Sequence, residues 1–148
     1  MKFSNTILIR RPIADVFEYL AHLENLPQWN YALQETRKIS PGSLGIGSVY
    51  QQVRRLPQPM KETLQITAYQ PDHSLVVCGG FAYFQGQSTY MLESLTDGTK
   101  LTNNVELHAP GVLDVVSALS LRSVQRAVAQ NMAVLKGLLE RSAQEYSD

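Results

Sequence analysis

Apolar and polar residues along this chain change period twice. From Phe3 to Arg10 they alternate, with Phe3, Ile7 and Ile9 on one side, which predicts a half-buried strand. Pro12 follows, suited to a first helical turn because its missing N–H has no partner there. Ile13, Val16, Phe17 and Leu20 then recur at i, i+3, i+4, i+7 and predict a short amphipathic helix. "ENLPQWN", residues 24–30, predicts a second short helix or turn, broken near Pro27.

Between Tyr31 and His108 the pattern returns to short strand-like runs. These are "LQETRKI", "SVYQQVRRL", "KETLQITAYQ", "SLVVCGG", "FQGQSTYMLESL" and "TKLTNNVELH". Turn residues separate or end them: Pro41-Gly42, Pro57 with Pro59, Pro71-Asp72, Gly79-Gly80, Asp97-Gly98 and Pro110-Gly111. Asp-Gly between two such runs is a strong hairpin signal. The short connections predict an antiparallel meander. Beyond it, Leu121, Val124, Val128, Met132, Leu135 and Leu139 share a narrow helical arc, while Arg122, Arg126, Gln130, Lys136 and Glu140 lie mainly elsewhere. If 112–145 were all helical it would be about 50 Å long. The serine-rich "SALSLRS", residues 117–123, is where a bend or a late start is expected.

The expected order is strand, two short helices, six strands and a long helix. One helix can cover the open face of a seven-stranded antiparallel sheet only if the sheet curls around it. Such a sheet does not pack solid easily, so a mostly apolar cavity between sheet and helix is expected.

Composition narrows the function without naming it. The 148 residues suit one domain, 1–148, with 44% hydrophobic and 18% charged residues. Thirteen basic and thirteen acidic residues cancel, so no global charge draws the chain to nucleic acid or an anionic membrane. The pairs Arg10–Arg11 and Arg54–Arg55 read as solvated strand ends. One cysteine, Cys78, excludes an internal disulfide, and its apolar run predicts a buried, inert thiol. The N-terminus resembles no signal peptide and no run is long enough to span a membrane, so the cytoplasm is the expected location. His22, His73 and His108 lack ligand spacing, so neither a metal nor a cofactor is expected. Acids Asp15 and Glu18 read as partners of a helix N-terminus.

The loop "PGSLGIG", residues 41–47, matches neither phosphate-binding glycine pattern. A strand follows it instead of a helix, so no helix N-terminus is available for phosphate. It reads as a bent strand connection.

"TILIRRPIADVFEYLAHLENLPQWN", "YQPDHSLVV", "YMLESLTDGTKLTNNVEL" and "NMAVLKGLLE" together resemble the START-like (SRPBCC) superfamily, within it the polyketide cyclase/dehydrase and lipid-transport group. The resemblance spans nearly the whole chain and is most specific in the N-terminal piece. His22 departs from the aspartate that many relatives carry there. The resemblance implies an α+β helix-grip fold: a curved seven-stranded antiparallel sheet around a long C-terminal helix, with two short helices between strands 1 and 2. It leaves function open, because members include cyclases, aromatases, dehydratases and lipid or quinone carriers.

Strand alternation supplies the candidate site. If Leu101, Val105 and Leu107 face inward, so does Asn103; Ser88, Tyr90 and Leu92 share a face, as do Tyr50 and Gln52. On the long helix Asn131 lies beside Val128 and Leu135. One reading is that these polar groups satisfy one another or sit at exposed edges. The functional reading is a few convergent hydrogen-bonding groups in an apolar pocket, orienting a ligand carbonyl or hydroxyl. Trp29 either stacks on a ligand or caps the core beside Phe17. Met60, Met91 and Met132 are candidate adaptable lining. The candidate cavity residues are Trp29, Tyr50, Gln52, Tyr90, Asn103, Val105, Val128, Asn131, Met132 and Leu135. No catalytic residue stands out from a nucleophile–base pattern. The leading expectation is a binder of a hydrophobic small molecule: a lipid, isoprenoid or quinone, or an aromatic polyketide. The rival is a cyclase, aromatase or dehydratase that holds a keto chain bent and polarises its reacting carbonyl. No nucleic acid partner is expected, and a homodimer stays open.

Overall fold

The computed structural model describes residues 1–108 and 114–147, with side chains described for 1–108 and 122–142. The elements are β1 (Lys2–Ile9), α1 (Ile13–Ala21), a 3-10 turn (Leu23–Asn25), α2 (Leu26–Trp29), β2 (Leu33–Lys38), β3 (Val49–Arg54), β4 (Met60–Gln70), β5 (Ser74–Phe81), β6 (Phe84–Leu95), β7 (Gly98–His108) and α3 (Asp114–Ser147). All seven strands form one antiparallel sheet in the order β1-β7-β6-β5-β4-β3-β2. Consecutive strands from β2 to β7 are neighbours, the meander that the turn chemistry predicts. Register shifts between Leu33 and Glu35 and between Ile66 and Ala68 break the ladders, and such bulges increase twist and bend a sheet. The curled sheet grips α3, the helix-grip fold.

Local chemistry explains the element ends. Pro12 is the N-cap of α1, and its carbonyl accepts the N–H groups of Asp15 and Val16. Pro27 opens α2 rather than breaking it. α3 runs unbroken through Ser117–Ser123, so the expected late start there does not occur; the side chain of Leu121 lies outside the described residues. Gly98 admits no side chain, since a Cβ would fall 2.2 Å from the Ile9 carbonyl oxygen. In the 41–47 loop, Gly42 and Gly47 both adopt φ of +89°. Lys38 Nζ donates to the carbonyls of Ser40 and Gly42, so the nearest cation holds the loop together.

The main core joins α1 (Val16, Phe17, Leu20), the sheet (Tyr50, Leu64, Ile66, Leu75, Leu101) and α3 (Met132, Leu135, Leu139). A smaller cluster of Phe3, Phe84, Val105 and Leu107 meets Val124 and Val128 of α3. Arg11 pins the far end of α3: its Nη1 donates to Leu139 O at 2.6 Å and its Nη2 pairs with Asp15 at 3.0 Å. Arg11 is therefore a half-buried tie between elements, not a solvated strand end, and Asp15 serves this pair.

Candidate functional site

Period-2 alternation decides what faces the helix. On β3 the inward residues are Tyr50, Gln52 and Arg54; on β6 they include Ser88, Tyr90 and Leu92; on β7, Leu101, Asn103, Val105 and Leu107. Between these strands, α2 and α3 lies a partly enclosed cavity of about 100 Å³. Its walls are mostly apolar, from Leu23, Leu26, Trp29, Leu33, Leu64, Val77, Phe81, Val105, Leu107, Val124 and Val128. The polar lining is Asn30, Gln52, Arg54, Ser88, Tyr90, Asn103 and Asn131. Leu33 begins β2, Arg54 ends β3 and Phe81 ends β5. The cavity thus sits at the end of the sheet where β3, β5 and β7 finish.

Two polar groups face it. In the first, Asn103 Nδ2 donates to Ser88 Oγ at 2.6 Å and lies near Thr89 O at 3.4 Å. Tyr90 is directly opposite Asn103 in the β6–β7 register, and its ring meets Trp29 edge-on at 6.5 Å. Burial raises the Tyr90 hydroxyl pKa above its ordinary value, and a hydrogen bond with Ser88 partly offsets this. Tyr90 therefore stays protonated and able to donate at neutral pH.

The second group is a buried ion pair. Arg54 and Glu62 expose only 9% and 7% of their surfaces. Arg54 Nε donates to Glu62 Oε1 at 2.9 Å, and Gln52 Nε2 donates to the same oxygen at 2.8 Å. Thr36 Oγ1 donates to Gln52 Oε1 at 3.2 Å. Glu62 Oε2 accepts the Ala82 N–H at 2.6 Å, which ties the β5–β6 turn to β4. Arg54 Nη1 reaches Leu56 O only at 3.4 Å, so the guanidinium is held mainly through its Nε. Glu62 neutralises Arg54 in place. The wall therefore offers strong donors without a net charge, an environment better matched to a neutral polar oxygen than to a full anion.

Seven of the ten sequence candidates meet at this cavity: Trp29, Gln52, Tyr90, Asn103, Val105, Val128 and Asn131. Trp29 does two things at once, since it is 6% exposed, belongs to the core and also lines the cavity. Tyr50, Met132 and Leu135 instead lie in the main core and are absent from the lining. Tyr50 is fully buried with its hydroxyl unpartnered among the described residues, and its pKa is pushed up to about 12 by burial, then by the charges of Glu24 and Tyr69.

Sequence reasoning missed Arg54, Glu62 and Asn30. Arg54 is not a solvated strand end, because it continues the inward series of Tyr50 and Gln52. Glu62 likewise continues that of Leu64 and Ile66. Cys78 is not a buried thiol: Leu75 and Val77 face inward, so Cys78 turns to the outer face, between Thr67 and Gln87. Met91 also points outward and is not part of this cavity's lining. His22 is exposed, with Nδ1 against Glu18 O. Among the described residues no three His, Cys, Asp or Glu side chains cluster to hold a metal, and no helix is long and apolar enough to cross a membrane.

Comparison with known proteins places this geometry. Residues 1–140 match the family described as polyketide cyclase / dehydrase and lipid transport. No curated protein matches in sequence. The Zhui aromatase/cyclase from Streptomyces sp. R1128 superposes with a TM-score of 0.77 at 13% identity, covering 97% of this chain and 95% of its own. TTHA0849 from Thermus thermophilus gives 0.75 at 13% identity, covering 96% and 99%. Ara h 8.0201 gives 0.71 at 17% identity, covering 94% and 97%. At these identities the likeness concerns the fold.

Proposed function

The chain belongs to the polyketide cyclase / dehydrase and lipid transport family, and from that premise we propose that it binds a small, mostly apolar molecule bearing a ketone, enol or phenol oxygen. The observation that carries this reading is the pairing of apolar walls with two donor groups, Arg54 held by Glu62 and Asn103 held by Ser88. Such a site rewards an apolar body with one or two polar oxygens. At about 100 Å³ the cavity exceeds a single water, which needs roughly 10–15 Å³, but falls short of the roughly 300 Å³ at which drug-sized pockets begin. A ligand of several rings therefore requires the cavity to widen.

Native mass spectrometry of protein purified from its own host tests this. The expected result is a one-to-one adduct of a small apolar molecule, lost when Val128→Trp fills the cavity. Protein free of any adduct in every preparation, together with no uptake of added aromatic ketones, would overturn it.

A second reading, a cyclase or aromatase acting in the same cavity, is favoured by one observation: Tyr90, Asn103 and Asn131 all line it. These side chains would hold a keto chain bent and polarise one carbonyl, so rate would come from positioning and electrostatics. Turnover of a poly-β-keto thioester mimic, slowed in Tyr90→Phe with little change in substrate affinity, is the result this reading expects. An unchanged rate of spontaneous cyclisation in the presence of the protein would exclude it.

A further inference from the structure

We propose that the loop end of the sheet beside the cavity docks on the surface of an anionic lipid bilayer. Three loops meet at this end, and each carries a large exposed apolar side chain. Tyr31 precedes β2 and is 65% exposed, Leu56 follows β3 at 43%, and Tyr83 sits between β5 and β6 at 55%. The loops are tied to one another. Ala32 O accepts the N–H groups of Arg55 at 2.8 Å and Leu56 at 3.3 Å. Glu62 joins Arg54 at the base of the second loop to Ala82 in the third. The tips therefore form one platform.

Among the described side chains, basic residues outnumber acidic ones at this end. Arg55, Lys61, Arg122 and Arg126 are exposed toward this end. Of the described acids here, Glu62 is spent on Arg54 and Glu106 lies 3.9 Å from Lys2, leaving Glu35 exposed. The opposite end, where β1, β4 and β6 finish, carries both signs, with Asp15, Glu18, Asp72 and Asp97 near Arg10, Arg11, Lys38 and Lys100. A basic rim around apolar tips matches an anionic interface in both of its properties. Tyrosine suits the boundary of such a layer, with an apolar ring and a polar tip. Separate tips on three loops form no groove for a peptide or helix, and they fit a deformable surface better than a shaped protein partner. An apolar ligand could then reach the cavity without crossing water.

The test needs no cavity ligand, so its failure would leave the binding reading standing. Purified protein is sedimented with vesicles of phosphatidylcholine, with and without phosphatidylserine. Binding is expected to need phosphatidylserine and to weaken as salt rises. Arg55→Gln with Lys61→Gln should weaken it by about twenty-five-fold, at about fivefold for each basic residue near the surface. Tyr31→Ser, Leu56→Ser and Tyr83→Ser combined should abolish it, while Leu8→Ser with Leu95→Ser, exposed at the other end, should leave it unchanged. Circular dichroism checks that each variant folds. Three results would overturn the proposal: no partition onto anionic vesicles at low salt, equal loss in the tip and control variants, or saturable binding to soluble poly-glutamate without any to vesicles.

Discussion

Removing the Glu62 carboxylate perturbs the cavity wall most sharply. Glu62→Ala strands three donors at once: Arg54 Nε at 2.9 Å, Gln52 Nε2 at 2.8 Å and the Ala82 N–H at 2.6 Å. Each hydrogen bond to a charged group contributes about 1.5–3 kcal/mol, but one carboxylate serves all three, so they do not simply add. Breaking a buried pair from one side costs about 3–5 kcal/mol, because the remaining charge stays buried and uncompensated. We expect a loss of about 4 kcal/mol, read by denaturant unfolding. At about 2–4 °C per kcal/mol for a chain near this size, the melting temperature should fall by about 10 °C. Removing both partners in Arg54→Met/Glu62→Leu should return stability to within about 1 kcal/mol of the parent, since apolar replacement of a buried pair is often neutral. A loss under about 1 kcal/mol for Glu62→Ala, the size of a surface pair, would refute this placement of the pair. So would a double variant as unstable as the sum of the two single ones.

The remaining predictions concern other sites. Tyr50→Phe should be neutral or stabilising by about 1 kcal/mol, because it deletes a buried hydroxyl without a described partner. The same variant should flatten the alkaline limb of stability. An unfolded tyrosine loses its proton near pH 10 and Tyr50 in the fold near pH 12, so its contribution is complete below pH 10 and disappears as pH rises through 12; chemical denaturation at a series of pH values measures this. Gly98→Ala should cost more than about 1 kcal/mol because its Cβ would strike the Ile9 carbonyl, whereas Gly45→Ala, with nothing within 4 Å, should be nearly silent. Leu135→Ala, at a fully buried position on α3, should lose about 2–5 kcal/mol on thermal or denaturant unfolding.

Much of this architecture is written in local periods. Alternation and turn residues mark all seven strands, and "FQGQSTYMLESL" coincides with β6 from end to end. The α3 stripe likewise reads correctly at Met132, Leu135 and Leu139, which are all buried. Two things are not local. Gln52 and Glu62 are register partners across β3 and β4, and only that pairing turns Arg54 from a surface charge into half of a buried ion pair. Depth is also not periodic: Tyr50 and Gln52 face the same way, yet only Gln52 lines the cavity, while Tyr50 is buried in the main core. Cys78 and Met91 were legible as outward residues by the same alternation. Their apolar chemistry suggested burial, and the strand geometry overrode it.

The most direct test of the cavity as the ligand site is methyl NMR of the whole chain titrated with an aromatic β-diketone, 1-(naphthalen-2-yl)butane-1,3-dione. Saturable shifts should concentrate on the methyls of Leu64, Val77, Val105, Leu107, Val124 and Val128, and should vanish in Val128→Trp. Shifts confined to exposed Leu8 and Leu95, or none at all up to the solubility of the probe, would contradict binding between the sheet and α3.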